Sequence, residues 1–349
     1  MNTIKLKEFG SINLPERYRH LAHFPLRQED ASNPSRVVKA LSRGQAVVVS
    51  GCTETLTKLM GQVTKHREQL TPRPEVPYPG KRDWDRAFRE VMDRVLTVVE
   101  DEALPASMLT GEEIKPPYLS PAAEFIRTQD SIGKTHFIPV LGHELSVHHQ
   151  VLVPRSHQTL AIFRDAFSSF EAGSVSRVLD MGCGSGVLSL LAARELSCSV
   201  IATDHLPEAI ATTGLNVREY EAKGLVRPGS ICITPGGDLF TPVSGSFDLV
   251  LFNAPWVVAP AHNPAETALN DPEQRILTRF MAELPSYLNP GGRLLLGYSD
   301  NSGPKAIARV EELISQYGLV LERVWKNRIR TWRKNRAWQN IFVYQARTP

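Results

Sequence analysis

The stretch Arg177–Gly186, RVLDMGCGSG, decides how the rest of the chain is read. Val178 and Leu179 form the short apolar run of a buried parallel strand. Asp180 closes that run, and Gly182, Gly184 and Gly186 follow at alternate positions. Val187–Leu196 (VLSLLAAREL) then reads as a helix. Because glycine has no side chain, backbone N–H groups and a helix N-terminus come close to a ligand at such a turn. Taken alone, the pattern equally fits an ordinary glycine-rich turn of an α/β domain.

Downstream, apolar runs and helical stretches alternate. Ser199–Thr203 (SVIAT) predicts a strand ending in Asp204, and Leu206–Gly224 a helix. Ser230–Thr234 predicts a strand followed by GGDLF, and Phe247–Phe252 (FDLVLF) a strand followed by NAPW. Helices at Pro272–Leu288 and Pro304–Tyr317 flank a strand at Gly292–Gly297. Val320–Trp325 and Trp338–Gln345 look like a closing pair of strands. This alternation predicts a doubly wound, mainly parallel seven-stranded Rossmann-like sheet of the α/β class, with ligands at the carboxyl ends of its strands.

Upstream, the first ~115 residues predict a smaller, mainly helical N-terminal domain that serves as a lid or substrate domain. Its helices are expected at Pro34–Arg43, Thr53–Leu70 and Asp83–Leu104, the last on the stripe Trp84, Phe88, Val91, Val95 and Val99. Ala46–Ser50 is a short strand or buried connector, and the prolines at 72, 74, 77 and 79 make an extended link. Residues 116–155 read as a linker and a β-hairpin (THFIPV and HELSVHHQVLV around Gly142), and residues 156–349 as the glycine-turn domain.

Composition sets bounds. With 42% hydrophobic and 22% charged residues, the chain is that of a soluble globular protein. A net charge of only +3 excludes a nucleic-acid coat and leaves room for a local basic patch. Cys52, Cys183, Cys198 and Cys232 show no metal-ligand spacing. His20 with His23 lacks a third ligand, and His148 and His149 would face opposite ways on a strand, so no metal site is expected. MNTIKLKEFGSINL has no apolar core of signal-peptide length, and no run of about 18 apolar residues follows, so a cytoplasmic protein without a membrane segment is expected.

The acids choose the ligand. A dinucleotide turn wants GxGxxG, whereas the spacing here is GxGxG with Asp180 immediately before it. A carboxylate there repels a pyrophosphate and favours a cation. Asp204 stands where ribose hydroxyls would donate to it, and Asp238 where an adenine amino group would. S-adenosylmethionine, an adenosine with an ammonium and no phosphate, fits that description.

RVLDMGCGSG, ATD, GGDLF and FDLVLFNAPW, in that order, resemble a class I S-adenosylmethionine-dependent methyltransferase of the HemK type, which methylates a glutamine amide in release factors. VLVPRSHQTL (151–160) and LNPGGRLLLG (288–297) extend the resemblance over about residues 125–325. It implies that Asp180, Gly182, Cys183, Gly184, Gly186, Asp204, His205, Asp238, Leu239 and Asn253 hold the cofactor. It also implies that Asn253, Pro255 and Trp256 form the catalytic motif, and that Arg155, Ala254 and Trp256 touch the substrate. A planar amide or amine nitrogen would be oriented by the Asn253 side chain and the backbone carbonyl after it, with Trp256 stacking on it. The family has proline where this chain has Ala254, and tyrosine or phenylalanine where it has Trp256. The acids of its PRPETE-like run are absent after Arg155. These departures leave the acceptor open between a protein amide, a nucleobase and a small molecule.

Two other readings stay open. The cofactor could be used without methyl transfer, by attack of its own amino group next to sulfur with release of methylthioadenosine. The chain could also be a non-catalytic RNA-binding protein with a vestigial pocket. RVWKNRIRTWRKNRAW (323–338) carries seven Lys or Arg residues and three tryptophans. It suits either a polyanion contact or a hairpin whose tryptophans pack inward.

Overall fold

The computed structural model describes residues 2–6, 10–73, 80–100, 115–261, 264–333 and 336–349. It divides into two compact units, residues 1–133 and 134–349. The boundary thus falls inside the expected linker: residues 118–132 belong to the first unit and the hairpin to the second.

The first unit contains β1 (Asn2–Leu6), β2 (Gly10–Leu14), β3 (Leu26–Gln28), α1 (Pro34–Ser42), β4 (Ala46–Val49), α2 (Thr53–Lys65), α3 (Arg67–Leu70), α4 (Gly80–Met92), β5 (Val95–Val99), β6 (Tyr118–Pro121) and α5 (Ala122–Ile132). The expected helices are present, but they pack on a six-stranded sheet of order β1-β2-β6-β5-β4-β3 that a mainly helical reading omits. The apolar stripe assigned to one long helix is split. Helix α4 stops at Met92, and Val95, Leu96 and Val99 turn into β5, buried beside Val47–Val49 of β4. The β-branched run Val95–Val99 favours the pleated conformation. The proline link at 74–79 and the far end of the expected helix, 101–104, lie outside the described residues.

The second unit opens with β7 (Thr135–Ile138) and β8 (His143–Ser146), an antiparallel hairpin around Gly142 as expected. Then follow α6 (His157–Phe167), β9 (Arg177–Met181), α7 (Val187–Glu195), β10 (Ser199–Thr203), α8 (Pro207–Ala222), β11 (Ile231–Ile233), β12 (Phe247–Asn253), α9 (Pro264–Thr267), α10 (Arg275–Glu283), β13 (Leu288–Ser299), α11 (Pro304–Gln316), β14 (Val320–Arg333) and β15 (Arg336–Arg347). The sheet order is β11-β10-β9-β12-β13-β15-β14. Its first five strands are parallel, and β15 runs antiparallel between β13 and β14.

Strand residues alternate between two cores, as the pleat requires. Val178, Leu249 and Leu251 pack with α6, α7 and α8, while Leu179, Val250 and Phe252 pack with α10 and α11. Burial on both faces is why these strands read as unbroken apolar runs. The order reverses at β9, where β10 lies on one side and β12 on the other. That switch point opens a crevice above the carboxyl ends of β9, β10 and β12. None of the described helices is long and apolar enough to cross a membrane.

Candidate functional site

Strand β9 ends at Met181, and the chain turns through Gly182, Gly184 and Gly186 at φ of +68°, +56° and +79°. Only glycine adopts this left-handed backbone without strain. At Gly186 a Cβ would also stand 2.9 Å from Thr213 Cγ2. Helix α8 braces the turn: Thr213 Oγ1 donates to the Gly184 carbonyl (3.0 Å), and Asn216 Nδ2 donates to the Ser185 carbonyl (2.9 Å).

Asp204, nearly buried after β10, accepts the Gly184 N–H on one carboxylate oxygen and the Leu206 N–H on the other, both at 2.9 Å. The next residue, His205, places Nδ1 3.3 Å from Asp204 Oδ1, and that carboxylate raises the imidazole pKa. Its Nε2 lies 3.2 Å from Thr267 Oγ1. Asp238 is exposed and bonds the Arg279 guanidinium of α10. Leu239, beside it, is buried with φ +48°.

Asn253 ends β12, paired in register with Gly297 of β13. Its Oδ1 is buried and accepts no hydrogen bond. A Cβ on Gly297 would fall 2.6 Å from that oxygen and 2.9 Å from Phe163 Cε2. The glycine leaves the room in which the amide sits. Gly297→Ala is therefore expected to displace Asn253 and Phe163 and lower stability by about 1–3 kcal/mol. Urea unfolding checks this, and an alanine variant as stable as wild type contradicts it.

A cavity of about 530 Å³ joins these groups. Of the residues predicted from sequence, Gly182, Gly184, Asp204, His205, Asp238, Leu239, Asn253 and Pro255 line it. Asp180, Cys183, Gly186, Ala254, Trp256 and Arg155 are not among its lining residues. Gly186 caps α7 from behind, and Cys183 is buried, with Thr213 Oγ1 donating to its Sγ at 3.3 Å. Burial pushes that thiol's pKa well up. Ala254 is buried, its N–H donating to the Gly297 carbonyl. Trp256 is half-buried against the core beside α11, and its carbonyl accepts from Ser302 Oγ. In place of Arg155, the residues just before it, Gln150, Val151 and Leu152, reach the wall. Sequence reasoning also missed Phe252, Thr267, Ile276 and Arg279. Arg279 carried no local signal, because its partner Asp238 is distant in sequence.

Asp180 sits under the glycine turn, 1% exposed. Ser189 Oγ donates to one carboxylate oxygen at 2.5 Å, and the other has no partner. Burial pushes its pKa up to about 7. Between about pH 4 and that value, the folded group holds a proton that the unfolded chain has released, so unfolding free energy falls as pH rises through this window. Asp180→Asn does not ionise, so relative to wild type it is expected to gain roughly 3–4 kcal/mol across the window. Urea unfolding at a series of pH values checks this; a pH-independent difference contradicts it.

Residues 166–323 match the family described as methyltransferase small domain. The ribosomal RNA small subunit methyltransferase C of Alcanivorax borkumensis is 32% identical over 145 residues, covering 39% of this chain and 36% of that protein. The release factor glutamine methyltransferase of Gloeobacter violaceus is 28% identical over 218 residues, 56% of this chain and 70% of that protein. Among solved structures, a ribosomal protein L11 methylase from Lactobacillus delbrueckii subsp. bulgaricus aligns at TM-score 0.37 and 20% identity, over 56% of this chain and 80% of that one. The chain thus spans about a third of the ribosomal RNA relative it matches and more of the release-factor relative. Glycine turn, strand order and family match coincide on one segment: residues 166–323, which carry most of the doubly wound sheet, match the methyltransferase small domain.

Proposed function

We propose that the second unit binds S-adenosylmethionine in the 530 Å³ cavity and transfers its methyl group to a planar amide or amine nitrogen. The carrying observation is the buried, unpartnered Oδ1 of Asn253 at the end of β12, on a residue of the cavity wall. A buried acceptor without a donor costs about 1–3 kcal/mol, and an N–H from an acceptor substrate would relieve that cost.

The wall fits the cofactor. It presents Asp204 and Asp238, while its guanidinium, Arg279, is already bonded to Asp238. That balance favours a sulfonium with an ammonium over a polyphosphate. Asp204 would take the ribose hydroxyls and Asp238 the adenine amino group, with the glycine turn allowing close approach. When bound, S-adenosylmethionine supplies an electrophilic methyl group and sulfur leaves as a neutral thioether. The work of the chain is alignment: Asn253 and a backbone carbonyl beside Pro255 hold the nitrogen so that its lone pair points into the cavity. The proton of that nitrogen passes to water once the new N–C bond forms. In a non-methylating use of the cofactor Trp256 would lie against the sulfonium, and Trp256 is not among the residues lining the cavity.

The test is incubation of the full chain with methyl-labelled S-adenosylmethionine plus cellular RNA or protein extract. Label on a nitrogen, with S-adenosylhomocysteine as coproduct, is expected. Methylthioadenosine from the cofactor alone would replace this reading with cyclisation.

A further inference from the structure

The closing hairpin β14–β15 outruns the sheet that carries it. Strand β13 ends at Ser299, opposite Ile341, yet β14 and β15 stay paired to Arg333 and Arg336. The excess projects from the carboxyl edge of β13, the edge at which Asn253 lies on the neighbouring strand.

Its two faces differ. On one, Trp325 and Ile329 pack against the core beside α6. On the other, Lys326, Arg328 and Arg330 stand at alternate positions and are exposed, opposite Phe342, Asn340 and Trp338 respectively. Arg328 lies over the Trp338 ring at 4.6 Å, and Lys326 over that of Phe342 at 5.5 Å. Trp338 is nevertheless 47% exposed. The tryptophans therefore split, Trp325 inward and Trp338 outward; the side chains of residues 332–336 lie outside the described set.

Charge is concentrated here. From residue 323 to the end there are eight Lys or Arg and no Asp or Glu. With 40 basic and 37 acidic residues in all, residues 1–322 are left at a net −5. The strip is also joined to the acceptor motif. Asn340 donates its N–H (2.9 Å) and side-chain amide (2.6 Å) to Asp300, and two residues on, Ser302 Oγ donates to the Trp256 carbonyl and accepts the Val258 N–H, both at 2.9 Å.

We propose that the Lys326–Arg328–Arg330–Trp338 face is a docking strip for single-stranded RNA, which makes a base amine of that strand the acceptor nitrogen at Asn253. The second clause rests on the methyl-transfer reading; the docking itself does not. Cations two residues apart on a strand, about 6.6 Å, track a phosphate backbone. An exposed indole beside them offers a face on which any base stacks. An acidic peptide would satisfy the cations and make no use of the exposed part of the indole.

The probe is a fluorescently labelled oligouridylate, titrated with the full chain without cofactor over a range of salt. Binding is expected, and Trp338→Ala should weaken it at least fivefold, as loss of one stacked base does. Replacing Lys326, Arg328 and Arg330 together by Gln should shallow the slope of log affinity against log salt by about 2, since each phosphate contact on a single strand contributes about 0.7. S-adenosylhomocysteine affinity of both variants should equal that of wild type, which establishes folding and separates this test from that of the cavity. Absence of oligouridylate binding by wild type, unchanged affinity and slope in the variants, or equal competition by polyglutamate of matched charge would each overturn the proposal.

Discussion

Asn253→Ala is expected to lower methyl transfer by about 100- to 1,000-fold, the scale on which a positioned polar group acts. Cofactor affinity should stay essentially unchanged, because the residue's proposed task concerns the acceptor nitrogen. The side chain sits at the end of a central strand, paired in register with Gly297, with its oxygen buried and unpartnered. An alanine there removes the acceptor of the substrate N–H and leaves the nitrogen free to rotate out of line. The protein should be no less stable, since the lost group made no hydrogen bond through its oxygen within the fold. Initial rates of S-adenosylhomocysteine release, beside calorimetric titration, separate the two effects. A variant that transfers at the wild-type rate removes Asn253 from the mechanism.

Asp204→Ala should act on the other half of the site, weakening S-adenosylhomocysteine binding by about 100-fold or more. Hydrogen bonds to a charged group are each worth about 1.5–3 kcal/mol, and two ribose hydroxyls would be lost together. The carboxylate also ties Gly184 to Leu206 through their N–H groups, so the alanine variant loosens the glycine turn as well. Asp204→Asn keeps an oxygen for only one of those two N–H donors and should fall between wild type and the alanine variant in both affinity and stability. Equal affinity in all three proteins would place the ribose elsewhere.

The second unit was legible because its strands are buried on both faces and its motifs stand at strand ends, where the chain turns around the cavity. Asp204, Asp238 and Asn253 could be named from position alone. The first unit was less legible for a physical reason: Val95, Leu96 and Val99 continue the phase of the α4 stripe, so periodicity carries straight over the Asp93–Arg94 turn into a strand. Partners remote in sequence were out of reach too. Neither the Asp238–Arg279 pair nor the room that Gly297 leaves for Asn253 has a local signature. At the hairpin, composition showed basic and aromatic residues together, but only strand register separates inward Trp325 from outward Trp338.

Calorimetric titration of the purified full chain with S-adenosylhomocysteine tests the central claim most directly. One site per chain is predicted, abolished or severely weakened by Asp204→Ala and retained in Asn253→Ala. No heat of binding by a folded wild-type protein at millimolar ligand would contradict the account.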